Sequence, residues 1–148
     1  MMNLPQMGRI RQHFDRTRVA DIRKTVLAEL QQFSWDPIQP GNSVALAAGS
    51  RGIANIAEIL KAAVEFFKSI DARPFIFPAM GSHGGATAEG QAAVLAQLGI
   101  TDSYVQAPIL SSMDVQQIGE TEDGVPVLVD RHAFDADHIV VVNRIKSH

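Results

Sequence analysis

Three short apolar runs, each leading into a glycine-rich or basic loop, constrain this chain more than any other feature: SVALAA at 43–48, PFIFPA within 73–79, and IVVVN at 139–143. They are continuous rather than alternating, the pattern of strands covered on both faces in a parallel sheet. An amphipathic helix is predicted over 55–69, where Ile56, Ile59, Leu60, Ala63, Val64 and Phe67 form a stripe that Phe66 widens. After the second run, Thr87 is a candidate N-cap for a helix ending near Leu98 and Gly99. Strand, loop and helix thus occur twice in succession, which argues for parallel pairing. Right-handed crossovers then bring the loops carrying Arg51 and His83 to one edge of the sheet. The expected fold class is α/β: a three-layer-like domain with a mainly parallel sheet and a β-hairpin excursion, incomplete at its C-terminus.

The rest of the chain fits around that frame. Val19, Ile22, Val26 and Leu30 predict a first helix over 18–33, and Pro37, Pro40, Gly41 and Asn42 mark a turn. Pro78 removes a ladder hydrogen bond, so the second strand is expected to be short or to end before it. Within 102–130, VQQIG and VPVLV flank ETED and Gly124, a hairpin or two-strand excursion. Residues 130–137 read as a turn or short helix with Asp135 near a cap. The run at 139–143 is read as a buried, central strand, because adjacent valines are stiff at χ1 and suit a pleat. Immediately after it the chain stops at RIKSH. Residues 1–17 are expected to form a basic arm and 18–148 the N-terminal α/β domain of a longer two-domain protein; the alternative is a complete small protein with a free C-terminal tail.

Composition narrows the function classes. With 46% apolar and 20% charged residues, the chain can fold on a core. Six of its thirteen Lys and Arg residues lie at Arg9, Arg11, Arg16, Arg18, Arg23 and Lys24. Asp15, Asp21 and Glu29 interrupt that stretch and no aromatic platform accompanies it, so a solvated surface is favoured over nucleic-acid binding. The absence of cysteine excludes disulfides, thiolate catalysis and thiolate metal sites. No apolar stretch suits a transmembrane helix or signal peptide, so a cytoplasmic protein with no membrane partner is expected.

The candidate site residues sit where the strands end, the usual place for ligands in open α/β sheets. Arg51, between Gly49 and Gly52, offers a planar fork to a carboxylate or phosphate; as a surface arginine it would satisfy strand-end carbonyls instead. His83, among Gly81, Gly84 and Gly85, suits general acid–base work, or bonds the loop backbone as a structural histidine. Neither G-x-G-x-x-G nor G-x-x-x-x-G-K-[ST] is present, so the loop is no dinucleotide fingerprint. His148 follows Arg144 and Lys146 at a basic strand end, or is a frayed terminus. His132 and His138 are read as surface or structural, and His13 carries no signal. A metal site from His83, His148 and Asp130 has no supporting spacing, and no metal ligand is assigned.

The ordered series MGSHGGATAEGQ, LGI, PI, SSM, IGET, GVPVLVDR and IVVVNRIKSH resembles the N-terminal domain of the nickel-dependent lactate racemase family and its relatives, over roughly 42–148. The resemblance implies two α/β domains with the active site between them, and inversion of a small 2-hydroxy acid by hydride removal and return. It implies His83 and His148 as an acid–base pair and Arg51 as a holder of the substrate carboxylate. It also implies a nickel pincer nucleotide in the full-length protein, not firmly held by this piece. The family's cofactor-attaching lysine and nickel-ligating histidine fall past the last residue, and Lys146 does not take that place. The loop AAGSRGIAN lacks the acidic and Thr-Arg-Pro pattern of the best-known racemases, which leaves the substrate open. Expected partners are a small carboxylate or hydroxy-acid substrate, the missing C-terminal domain, and a second copy of the chain. The competing reading is a non-catalytic anion-binding or structural domain.

Overall fold

The first apolar run becomes the centre of the sheet. The computed structural model describes residues 8–14 and 17–144. In chain order its elements are α1 (Ile22–Leu30), β1 (Ser43–Ala48), α2 (Ile56–Ser69), β2 (Arg73–Pro78), a 3-10 turn (His83–Ala86), α3 (Ala88–Gln97), α4 (Asp102–Val105), β3 (Val115–Glu120), β4 (Pro126–Asp130), α5 (Arg131–Phe134) and β5 (His138–Val142). The main sheet runs β2-β1-β5, all parallel, with Ala48 level with both Pro78 and Val142; β3 and β4 form a separate antiparallel hairpin. The fold is mixed α/β, as the strand–loop–helix alternation requires.

The two faces of the sheet are covered unequally. Val44, Leu46 and Ala48 of β1 meet Ile56, Leu60, Ala63, Val64 and Phe67 of α2, joined by Leu95 and Val105, in the main core. Trp35 stacks edge-on to Phe67, with centroids 5.1 Å apart, and its indole N–H bonds the Leu30 carbonyl at 2.7 Å, which seats α1 against α2. On the other face Ala45, Ala47 and Phe77 are covered by Ala133 of α5, with Val129 and Ala136 beside it.

Several expectations need correction. The first helix covers only Ile22–Leu30, because Asp21 caps it by accepting from the Lys24 N–H at 2.8 Å and leaves Val19 exposed. Pro78 belongs to β2 and costs no bond to β1. Arg73 and Ala79 donate toward the β1 side, to Asn42 and Ala48 carbonyls at 2.8 Å each, whereas Ile76 donates outward to the Pro108 carbonyl at 2.9 Å. Pro74 and Pro78 share the parity of Ile76, so the N–H each lacks would have pointed away from β1. Residues 102–105 form a one-turn helix capped by Thr101 ahead of the hairpin. Residues 131–134 do form a short helix with Asp135 at a cap, as expected: Asp135 is its C-cap, while Asp130 is its N-cap, accepting from the Ala133 N–H at 3.0 Å. Finally, among the described residues β5 borders the sheet instead of lying at its centre: it pairs with β1 alone, Val140 and Val142 pack on the main core, and Ile139 and Val141 are 48% and 69% exposed.

At the amino end of the sheet, the Asp137 carboxylate accepts from the Ser43 N–H and hydroxyl, both at 2.7 Å, and ties the start of β5 to the start of β1. Those two bonds, the backbone one first, hold its carboxyl below the usual carboxylate range. Among the described residues no helix is long and apolar enough to cross a membrane.

Candidate active site

At the carboxyl end of the sheet the chain leaves three neighbouring parallel strands in turn. After Ala48 it runs through Gly49, Ser50, Arg51 and Gly52 before α2 begins at Ile56. After Pro78 the ladder continues one step, as the Ala79 N–H donates to the Ala48 carbonyl at 2.8 Å. Met80, buried, then anchors the start of the histidine loop.

That loop is built on backbone that few residues adopt. Gly84, Gly85 and Ala86 lie at φ 65°, 69° and 54° in succession. Gly84 is pressed against the first turn of α3: a Cβ there would stand 2.4 Å from the Gly90 carbonyl carbon, and one on Gly90 would stand 1.8 Å from the Gly84 oxygen. Both positions therefore exclude a side chain. Thr87 joins the two segments, its hydroxyl donating to the Gly84 carbonyl at 3.2 Å and accepting from the Gly90 N–H at 3.0 Å. Gln91 is buried on α3 and donates to the Gly81 carbonyl at 2.7 Å, fixing the loop from inside.

His83 is held at both ring nitrogens. Arg51 Nη2 lies 2.7 Å from Nε2, and Ser50 Oγ is in hydrogen-bond contact with Nδ1. A guanidinium has only N–H donors, so Nε2 accepts, and in a neutral ring Nδ1 carries the proton and donates to Ser50. The structure thus brings Arg51 and His83 into direct contact, although they are far apart in sequence. Arg51 is exposed, and His83 is partly buried.

The third loop joins the same edge through Arg144, whose Nη1 donates to the Gly52 carbonyl at 3.1 Å. Arg144 was legible only as part of a basic strand end; its contact with the first loop follows from β5 pairing beside β1. His148 and Lys146 lie outside the described residues. His138 stands at the opposite end of the sheet, where Nε2 meets Asn42 Oδ1 at 3.3 Å, and Asp130 is committed to capping α5. Ser50 and Gln91 are the contacts of the histidine loop that sequence reasoning missed. Neither carries a motif, and each acquires meaning only when the strand order sets it beside the histidine loop.

A recess of about 460 Å³ opens near Ser43, Arg73 and Pro108 at the other end of the sheet, and one of about 750 Å³ lies between α1 and the segment at Ala54 and Asn55. Neither of these two recesses gathers a histidine with a cation; the contact of Arg51 with His83 does. Among the described residues no group of three or more His, Cys, Asp or Glu side chains could hold a metal. The nickel implied by the resemblance thus finds no ligand set among the described residues.

No curated protein and no solved structure gives a significant match to the chain. The model of the lactate racemase N-terminal domain matches residues 49–148, a span that begins at the loop of Arg51 and contains the His83 loop, the hairpin and β5. On that match, the chain belongs to the lactate racemase N-terminal domain family.

Proposed function

We propose that this chain supplies the carboxylate-binding and proton-handling part of a racemase- or epimerase-like active site acting on a small 2-hydroxy acid. The observation that carries the reading is the 2.7 Å contact between Arg51 and His83 at the carboxyl edge of a parallel sheet. Arg51 presents an exposed, planar, permanently charged fork suited to a carboxylate. His83 Nε2 offers a lone pair on the same spot, where the hydroxyl next to that carboxylate would lie.

In this reading Arg51 turns from His83 to the substrate carboxylate, and the freed Nε2 takes the hydroxyl proton as the α-carbon is oxidised. Return of the proton accompanies reduction from the opposite face. Inverting one carbinol centre needs a proton handler on each side, and the resemblance assigns the second to His148. A nickel pincer nucleotide, if the whole protein carries the one that the resemblance implies, would supply the hydride chemistry; this chain's residues would bind the substrate, orient it and move the proton.

The test is interconversion of lactate enantiomers and of other 2-hydroxy acids by the full-length protein, produced with its cofactor-maturation enzymes. His83→Gln is expected to lower kcat by about 10²–10⁴-fold, the usual contribution of a positioned acid–base group. Arg51→Gln is expected chiefly to raise KM for the carboxylate. Turnover unaffected by His83→Gln would remove the proposal. Carboxylate binding without any turnover or cofactor would favour the non-catalytic anion-binding domain.

A further inference from the structure

We propose that Ser50 is a positioning residue for His83, deciding which ring nitrogen carries the proton and where the other one points. The inference rests on reading His83 as the proton acceptor. A neutral imidazole divides between two tautomers, and only the one protonated at Nδ1 leaves Nε2 free to act as a base. In the free protein two contacts select that tautomer: Arg51 donating to Nε2 and Ser50 accepting from Nδ1.

These two contacts cannot serve equally during turnover. Arg51 must leave Nε2 before that nitrogen can accept a substrate proton, so the arginine's hold on the ring ends when the base is needed. Ser50 remains. Its hydroxyl hangs on a short side chain two residues beyond Ala48, which is buried at the end of the central strand, and whose carbonyl is tied to the Ala79 N–H at 2.8 Å. The histidine loop is fixed independently by Gln91 and by the Gly84–Gly90 contact. Acceptor and ring therefore both sit in loops held close to anchored backbone, the condition under which a hydrogen bond sets orientation. Labour is divided between a mobile arginine that meets the carboxylate and a fixed serine that keeps the imidazole aimed.

Ring ¹⁵N spectra of His83 in this chain test the proposal without any cofactor, at about pH 8.5, well above the ordinary histidine range. The decisive background is Arg51→Gln, which removes the competing contact. There Ser50 is expected to keep the ring protonated at Nδ1, and adding Ser50→Ala is expected to shift the tautomer ratio by at least about threefold toward Nε2–H, a preference that Ser50→Thr restores. Ser50→Cys, with a weak sulfur acceptor, gives the same loss should the alanine variant fail to fold, and the backbone amides of Ile76 and Ala79 report whether the sheet is intact. An unchanged tautomer ratio in folded Ser50→Ala and Ser50→Cys variants overturns the assignment. Failure of the underlying reading looks different: saturating lactate would leave the wild-type Nε2 signal unmoved while the Ser50 effect persisted.

Discussion

Gly90 is the residue on which the histidine loop turns, because its missing Cβ is what lets the Gly84 carbonyl approach α3. Gly90→Ala is expected to destabilise the fold by about 1–3 kcal/mol through overpacking, read from urea denaturation midpoints, and to loosen the Arg51–His83 contact. Gly85→Ala meets no neighbouring atom and is strained only by its φ of 69°, so its cost should stay near 1–2 kcal/mol. The glycine-rich loop was legible in the sequence as a place where His83 stands uncrowded. The reason for Gly90 was not, since it depends on how α3 packs back on the turn before it. Ser50 was hidden in the same way: a serine in a loop has no periodicity, and its partner lies in a separate loop, beyond a whole helix and a strand.

Two elements carry predictions of their own. Thr87 caps α3 and ties it to the histidine loop, so Thr87→Ala should cost about 1 kcal/mol in thermal or chemical denaturation, with a larger effect on the His83 ring signals than on α1. At the opposite end of the sheet, Asp137 joins β5 to β1. Its carboxyl is held below its ordinary value in the folded protein, so its contribution is fully present above the unfolded carboxylate pKa of about 3.9 and is lost as pH falls through the folded value. Melting temperatures recorded from pH 6 down to pH 2.5 should therefore fall less steeply with acid in Asp137→Asn than in the wild type, from a lower starting point. The strands and long helices could be read from their apolar spacing within a few residues. The position of β5 could not: a run of apolar residues says that a strand forms, and Ile139 and Val141 show that one of its faces went largely uncovered. A one-turn helix such as α4 is too short to show a period at all.

Across the whole molecule, stability rests on one face of the sheet. Leu46 and Leu60 are fully buried in the main core, and truncating either to alanine should cost about 2–5 kcal/mol. Val141→Thr, on the thinly covered face, should stay within about 0.5 kcal/mol of wild type in the same denaturation series. Family membership and fold class were accessible from the order of motifs and the alternation of strand and helix, whereas the imbalance between the two faces required the packing itself. The prolines of β2 give that imbalance a direction. Pro74 and Pro78 withhold N–H groups on either side of the single outward bridge from Ile76 to the 108–110 segment, so that border of the sheet resists recruiting another strand. The far border of β5 has no proline, so among the described residues the two borders of this sheet differ: the β2 side is closed to strand pairing by its own sequence, and the side of the strand that leads to Arg144 keeps its backbone donors.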